Sequence, residues 1–202
     1  MLREMKITEF VDSLAAKTSV PGGGAASAAA AAMGAALGIM AAQYSDGPRA
    51  AESVPALQKH KADLVSFIDA DADAYAQVSA AYGLPKRTDE EKAARRLAVQ
   101  SALVGAADVP LRAMKSSLAA MQSTATYLEQ LNKNLVSDFS GALLLLEAGL
   151  VGCGLNVRIN AGLMSDKARG AALLAEADRL EKEAASLKTS LLGSVQKMYA
   201  KP

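Results

Sequence analysis

The chain predicts an all-α fold: a bundle of long helices around buried central helices rich in alanine and glycine. Three observations carry that reading. Hydrophobic residues make up 51% of the 202 positions and aromatics only 4%. A core of Ala, Leu and Val favours closely packed helices over sheets. Apolar residues recur at steps of three and four, and no segment reads as a strand. Finally, the stretch from Ser19 carries no charge until Asp46, so a helix there has no polar face and is expected to be surrounded on all sides.

That stretch opens with Pro21-Gly22-Gly23-Gly24, which marks a sharp loop. A central helix is predicted over Ala25–Ala42, where alanine dominates. Its N-terminus offers unpaired amides and the positive end of the helix dipole to an anionic or electron-rich ligand. The glycines fit neither the dinucleotide fingerprint nor the P-loop. A membrane span is the competing reading of so apolar a run, but it lacks flanking basic residues and an aromatic belt.

Before the loop, Thr8 is placed to cap a short helix ending near Lys17. After the central helix, Ser45-Asp46-Gly47-Pro48 is a stop signal. A long helix is predicted from about Pro48 to Tyr82. Its apolar stripe reads Leu57, Leu64, Ile68, Tyr75, Val78 and Tyr82, and in the gap the stripe lands on Asp71. Asp69 and Asp73 sit two residues to either side, roughly 200° around the helix, and are expected to be solvated. A core-facing carboxylate is costly unless it finds a partner or serves chemistry. Asp71 is therefore either the partner of an arginine on another helix or, as the candidate acid/base, a group in a cleft.

Gly83-Leu84-Pro85-Lys86 breaks that helix. Thr88 with Glu91 forms a capping box for the next, which Pro110 is expected to kink or end. A further amphipathic helix carries Leu111, Met114, Leu118, Met121 and Leu128. Asn132-Lys133-Asn134 reads as a turn, with Ser137 or Asp138 capping a helix to about Asn160. That helix resembles the central one, with Glu147 as the one charge in its middle and Asn156 and Asn160 on one face. The last helix, about Ser165 to Lys201, has a heptad-like stripe and reads as an outer helix or an oligomer contact. No linker divides the chain, so residues 1–202 are expected to form one domain.

Composition narrows the function classes. A net charge of +1 offers nothing to nucleic acid or an acidic membrane surface. One Cys and one His make a protein metal site improbable. Cys153 reads as a small buried filler, and His60 as part of a solvated helix face. The N-terminus lacks the apolar segment of a signal peptide, so a cytoplasmic location is expected.

Several stretches, in order from about Phe10 to Asn160, resemble the cyclodeaminase/cyclohydrolase family. They are Pro21-Gly22-Gly23-Gly24 with its Ala/Gly helix, Asp71-Ala72-Asp73-Ala74-Tyr75, and Tyr82-Gly83-Leu84-Pro85-Lys86 followed by Thr88 to Lys92 and Arg95. Val109-Pro110-Leu111, Asn132-Lys133-Asn134 with Ser137-Asp138, and Asn156-Val157-Arg158-Ile159-Asn160 complete the set. The family comprises the C-terminal domain of formiminotransferase-cyclodeaminase and stand-alone bacterial methenyltetrahydrofolate cyclohydrolases. Ala25 departs from it, standing where many members carry Ser.

The resemblance implies a homodimer that binds a tetrahydrofolate derivative as substrate, with no other cofactor. It makes Asp71 the acid/base. It implies a cleft lined by Gly22, Gly23 and Gly24, whose amides are candidates for polar atoms of the pterin or the developing oxygen. Lys86 and Arg95 are candidates for the glutamate tail or for pairing with acids. Asn134, Asp138 and Asn156 are candidates for hydrogen bonds to the pterin edge, and Ser137 and Asn160 are also expected to bind substrate. The expected activity is hydrolysis of 5,10-methenyltetrahydrofolate to 10-formyltetrahydrofolate. Cyclodeamination of a 5-formimino substrate uses the same residue types, and a non-catalytic folate-binding dimer is the third reading.

Overall fold

Every long element expected from the apolar spacing is helical in the computed structural model, which describes residues 1–199, and no strand occurs among them. The helices are α1 (Ile7–Ala15), α2 (Gly23–Gln43), α3 (Pro48–Tyr82), α4 (Asp89–Ala125), α5 (Val136–Gly162) and α6 (Lys167–Tyr199). Lys201, the expected end of the last helix, lies outside the described residues. Short 3-10 turns cover Leu2–Glu4, Leu128–Gln130 and Lys133–Leu135.

The local signals set these boundaries with informative exceptions. Pro48 occupies the first turn of α3, where its missing N–H costs nothing. Thr88 and Glu91 form the capping box of α4, with the Glu91 N–H donating to Thr88 Oγ1 at 3.2 Å and the Thr88 N–H to Glu91 Oε2 at 3.3 Å. At α1 the Glu9 carboxylate, not Thr8, closes the start by accepting the Lys6 N–H at 3.1 Å. α5 starts without a side-chain cap from Ser137 or Asp138.

Pro110 neither ends nor replaces a helix: α4 runs through it unbroken. A proline frees the carbonyl four residues earlier. Here that carbonyl belongs to Ala106, and Asn160 Nδ2 of α5 donates to it at 2.9 Å. Pro110 is buried, so packing outweighs the lost bond.

α2 lies between α3 and α5, with α4 packed across α3 and α5. It runs antiparallel to α5, and small residues set the distance between them. A Cβ on Gly149 would sit 2.5 Å from the Ser27 carbonyl oxygen, and one on Gly34 would sit 2.8 Å from that of Ala142. α6 is an outer helix packed on its own chain, burying Ala177, Leu180, Ala184, Leu191 and Val195. Ion pairs fasten it: Arg158 Nη1 to Glu181 Oε1 at 2.6 Å and Lys188 Nζ to Glu147 Oε2 at 2.6 Å.

The central helix is not surrounded within the chain. Met33 is 51% exposed, and Ala36 beside it is also exposed. Leu144, Val151, Leu155 and Ile159 of α5 continue the open face, Ile159 at 65% exposure. α1 adds Ile7 and Val11, both exposed, along a groove of about 500 Å³ that Ala26, Ala29 and Met33 share. α2 and Lys133–Gly162 are long and apolar enough to cross a membrane by length and composition, and here they pack on one another.

Asp69 is not solvated. The chain start folds back on α3, so that the Leu2 N–H donates to Asp69 Oδ1 at 2.6 Å and Arg3 Nε pairs with Oδ2 at 3.2 Å. His60 is partly buried, which lowers its pKa.

The α2–α5 contact gives a direct test. Gly149→Ala forces the Ser27 backbone away and should cost about 1–3 kcal/mol, a fall of several degrees in thermal midpoint. Gly105→Ala, at an exposed α4 position with nothing near the added methyl, should hold or raise the midpoint. Equal effects in a thermal melt would show that the helices are not in this register.

Candidate functional site

Asp71 sits where the middle of α3 meets the start of α2. Its Oδ2 accepts the Ala25 N–H at 3.0 Å. The carboxylate occupies the space that a Cβ on Gly24 would need, so position 24 must be glycine for it to dock. Gly23 and Gly24 lie in the first helical turn, with Gly22 as N-cap. The amides of such a turn have no acceptor within their own helix.

Burial raises the Asp71 pKa, and the hydrogen bond from Ala25 lowers it only in part. No cation contributes: among the described residues Asp71 forms no ion pair. Lys61, ten residues earlier on the same helix, lines the α1–α2 groove instead. Cys153 lies within reach of the same charge. Its thiol is pushed up to about 12, first by burial and then by Asp71.

A cleft of about 360 Å³ opens above the carboxylate. Gly22, Gly23, Gly24, Asp71, Asn156 and Asn160 line it together, so six of the expected site residues converge. Asn160 donates both amide hydrogens, to Ala106 O at 2.9 Å and to Asn156 O at 3.0 Å, which leaves Oδ1 as a free acceptor. Asn156 Nδ2 donates to Gly152 O at 3.0 Å and keeps its oxygen and one hydrogen.

The remaining expected residues do not reach the cleft within one chain. Lys86 is exposed in the α3–α4 turn. Arg95 touches only the rim, through Tyr82. Asn134, Ser137 and Asp138 lie at the opposite end of α5. Asp138 is eighteen residues from Asn156 on that helix, about 27 Å at 1.5 Å per residue. The order of motifs along a chain gives no distance across a fold.

The cleft also holds residues outside the expected set: Ser19, Val20, Ala74, Tyr75, Val78, Tyr82, Ala106 and Leu163. The stripe itself could have found three of them. Tyr75, Val78 and Tyr82 share the phase of Asp71 on α3, but Tyr75 is 47% and Tyr82 44% exposed. The upper stripe walls a cleft, while its lower part, with Leu57, Leu64 and Ile68, is buried in the core. The arrangement is an unshared carboxylate beneath a cleft with aromatic walls, amides at one side and carboxamides at another. It suits a flat, cationic organic ligand.

The burial of Asp71 predicts a pH-dependent stability. Its folded-state pKa lies above the unfolded one, so the ionised form weakens the fold as pH rises past the ordinary carboxylate range; in acid the effect is absent. Asp71→Asn keeps an acceptor for the Ala25 amide and removes the charge. In thermal melts its midpoint should match or exceed the wild type's at neutral pH, and any gap should close in acid. A lower midpoint at neutral pH would contradict this placement.

Comparison with known proteins gives the family and the fold. The family model described as formiminotransferase-cyclodeaminase matches residues 6–179. A methenyltetrahydrofolate cyclohydrolase of Methylorubrum extorquens is 37% identical over 198 residues, covering 94% of this chain and 95% of that protein. The rat formimidoyltransferase-cyclodeaminase is 32% identical over 173 residues, or 82% of this chain but 32% of that longer protein. Among solved structures, the formiminotetrahydrofolate cyclodeaminase of Thermotoga maritima superimposes with a TM-score of 0.86 at 25% identity, covering 98% of this chain and 100% of that one. The chain belongs to the formiminotransferase-cyclodeaminase family.

Proposed function

We propose that this protein is a methenyltetrahydrofolate cyclohydrolase, converting 5,10-methenyltetrahydrofolate to 10-formyltetrahydrofolate in one-carbon metabolism. The observation that carries this reading is the Asp71 carboxylate, half-buried at the cleft floor with no cation of its own. The methenyl substrate brings the missing positive charge, on the carbon that bridges N5 and N10. The likeness to the Methylorubrum extorquens cyclohydrolase over nearly the whole of both chains supports the choice of reaction.

The chemistry follows from that pairing. Asp71 attracts the amidinium and accepts a proton from the water that attacks its carbon. The resulting tetrahedral carbon bears a hydroxyl. Asp71 returns its proton to N5 as the C–N5 bond breaks, the hydroxyl proton leaves to solvent, and the formyl group remains on N10. The raised pKa of Asp71 suits both the acceptance and the return near neutral pH. The Gly23 and Gly24 amides are donors for the developing oxygen. Asn156 and Asn160 offer acceptors to the pterin N–H groups. Water and the folate suffice, without a further cofactor.

We read residues 1–202 as one domain of a cytoplasmic homodimer, with no membrane or nucleic-acid partner. The charge-free face of α2 and α5 supports the dimer, since a long apolar surface without charges is an interface signature. On α5 the open stripe runs from Ser137 through Leu144, Ala148, Val151 and Leu155 to Ile159. A two-fold axis crossing an antiparallel α5 pair at Ala148 sets Asn134, Ser137 and Asp138 of the partner subunit beside Asn156 and Asn160. That arrangement reunites the two groups of family residues that one chain keeps apart.

Cyclodeamination is the second reading, favoured by the name of the Thermotoga maritima relative. Loss of near-ultraviolet absorbance from 5,10-methenyltetrahydrofolate separates the two. The wild type should consume it rapidly, and Asp71→Asn should be slower by roughly 10²- to 10⁴-fold. The acid limb of kcat/KM should lie above the ordinary carboxylate range, activity falling as Asp71 takes up its proton. Turnover of the 5-formimino substrate alone would favour the second reading, and wild-type rates in Asp71→Asn would sink the assignment of the residue.

The dimer has its own measurement. Sedimentation should give twice the chain mass, and Leu155→Glu with Met33→Glu should give monomers. Mixing two weak variants, Asp71→Asn and Asp138→Ala, should restore part of the activity if the site spans two subunits. An active Asp138→Ala would rule out that two-fold arrangement.

A further inference from the structure

Arg95 makes an unusual use of its guanidinium. Nε and Nη2 both donate to the carbonyl of Tyr82, at 3.1 and 3.0 Å. The same group lies over the Tyr82 ring, with Cζ 5.4 Å from the centroid. Tyr82 is the last residue of α3 and lines the cleft. Arg95 stands in the second turn of α4, so one side chain closes the hairpin between two long helices at the rim of the site.

Two physical effects add here. The last carbonyls of a helix lack donor partners and carry the negative end of the dipole, so a guanidinium there stabilises the final turn. The cation over the ring fixes the orientation of the tyrosine. Without Arg95 the last turn of α3 is exposed backbone ending at Gly83, the kind of helix end that frays.

We propose that Arg95 is a positioning residue that holds Tyr82 as one wall of the cleft, and that Tyr75 and Tyr82 together receive the flat arylamide of the folate. Asp71, Tyr75, Val78 and Tyr82 follow steps of four, three and four on α3 and so share one face. Side chains on a helix lean toward its N-terminus, so the Tyr82 ring reaches back toward Tyr75. A substrate whose reacting carbon sits at Asp71 extends its aromatic ring along this face. Arg95 therefore shapes affinity through Tyr82 and does not grip the glutamate tail. This rests on the folate reading of the cleft.

The test compares two substrates: 5,10-methenyltetrahydrofolate and its pteroate counterpart, which lacks the glutamate. Arg95→Met keeps the stem and removes the guanidinium. It should raise KM by roughly three- to tenfold, the range of one aromatic contact, and change kcat little. The same factor should appear with both substrates, and Arg95→Met should add nothing to Tyr82→Ala. Arg95→Lys, which retains a donor for the carbonyl, should show a smaller shift in the same direction.

An Arg95→Met effect that disappears with the pteroate substrate would mean a direct grip on glutamate and overturn the proposal. So would factors that multiply in the double variant, or a lowered thermal midpoint with KM unchanged. If the wild type turns over neither substrate, calorimetry with 5-formyltetrahydrofolate makes the same comparison on affinity alone. Folate binding without coupling between Arg95 and Tyr82 sinks this proposal only. A wild type that binds no folate sinks the functional reading as well.

Discussion

A carboxylate docked on the start of a helix is the contact on which the rest of this structure depends. Asp71 takes the Ala25 amide and fills the space above Gly24. Three consequences follow from that one geometry. Position 24 has no room for a side chain. The middle of α3 and the first turn of α2 are held together, which opens the cleft above them. And because burial opposes ionisation more than one amide supports it, the acid keeps a raised pKa and an unshared charge. A salt bridge to an arginine would have fixed the same two helices, but it would have left nothing for a cationic ligand.

The opposite wall of the cleft depends on a backbone defect. Pro110 removes one hydrogen bond from α4 and leaves the Ala106 carbonyl free, and Asn160 fills the vacancy from α5. The repair has a functional side. With both amide hydrogens committed, Asn160 can present only its oxygen to the cleft. The polarity of that wall is thus set by the helix that the proline interrupts, and α4 and α5 are joined at the level of the site.

Much of this was legible in the sequence because it is local. The phase of the α3 stripe singled out Asp71 without any knowledge of its partner, and Thr88 with Glu91 marked the start of α4. What escaped was non-local. Asp69 looked solvated because it lies off the apolar stripe of α3; its partners, Leu2 and Arg3, arrive from the chain start. Pro110 looked like a break because Asn160 lies fifty residues on. Tyr75 and Tyr82 carried the right periodicity, but periodicity does not distinguish a wall of the core from a wall of a cleft. Asn134, Ser137 and Asp138 belong to the family pattern and still lie at the far end of α5.

The small residues that make α2 possible also explain why its face is left open. Alanine and glycine let α2 approach α5 closely, so dispersion between the two helices is dense. Each alanine, however, removes little apolar area from water, and stabilisation scales with that area at about 25 cal/mol per Å². A helix contact built from alanine gains less per residue than one built from leucine and phenylalanine. Leu143, Leu146 and Leu150 of α5 are buried, while Met33, Leu144, Val151, Leu155 and Ile159 point outward. In the proposed dimer, a second copy on that face would bury these side chains as well.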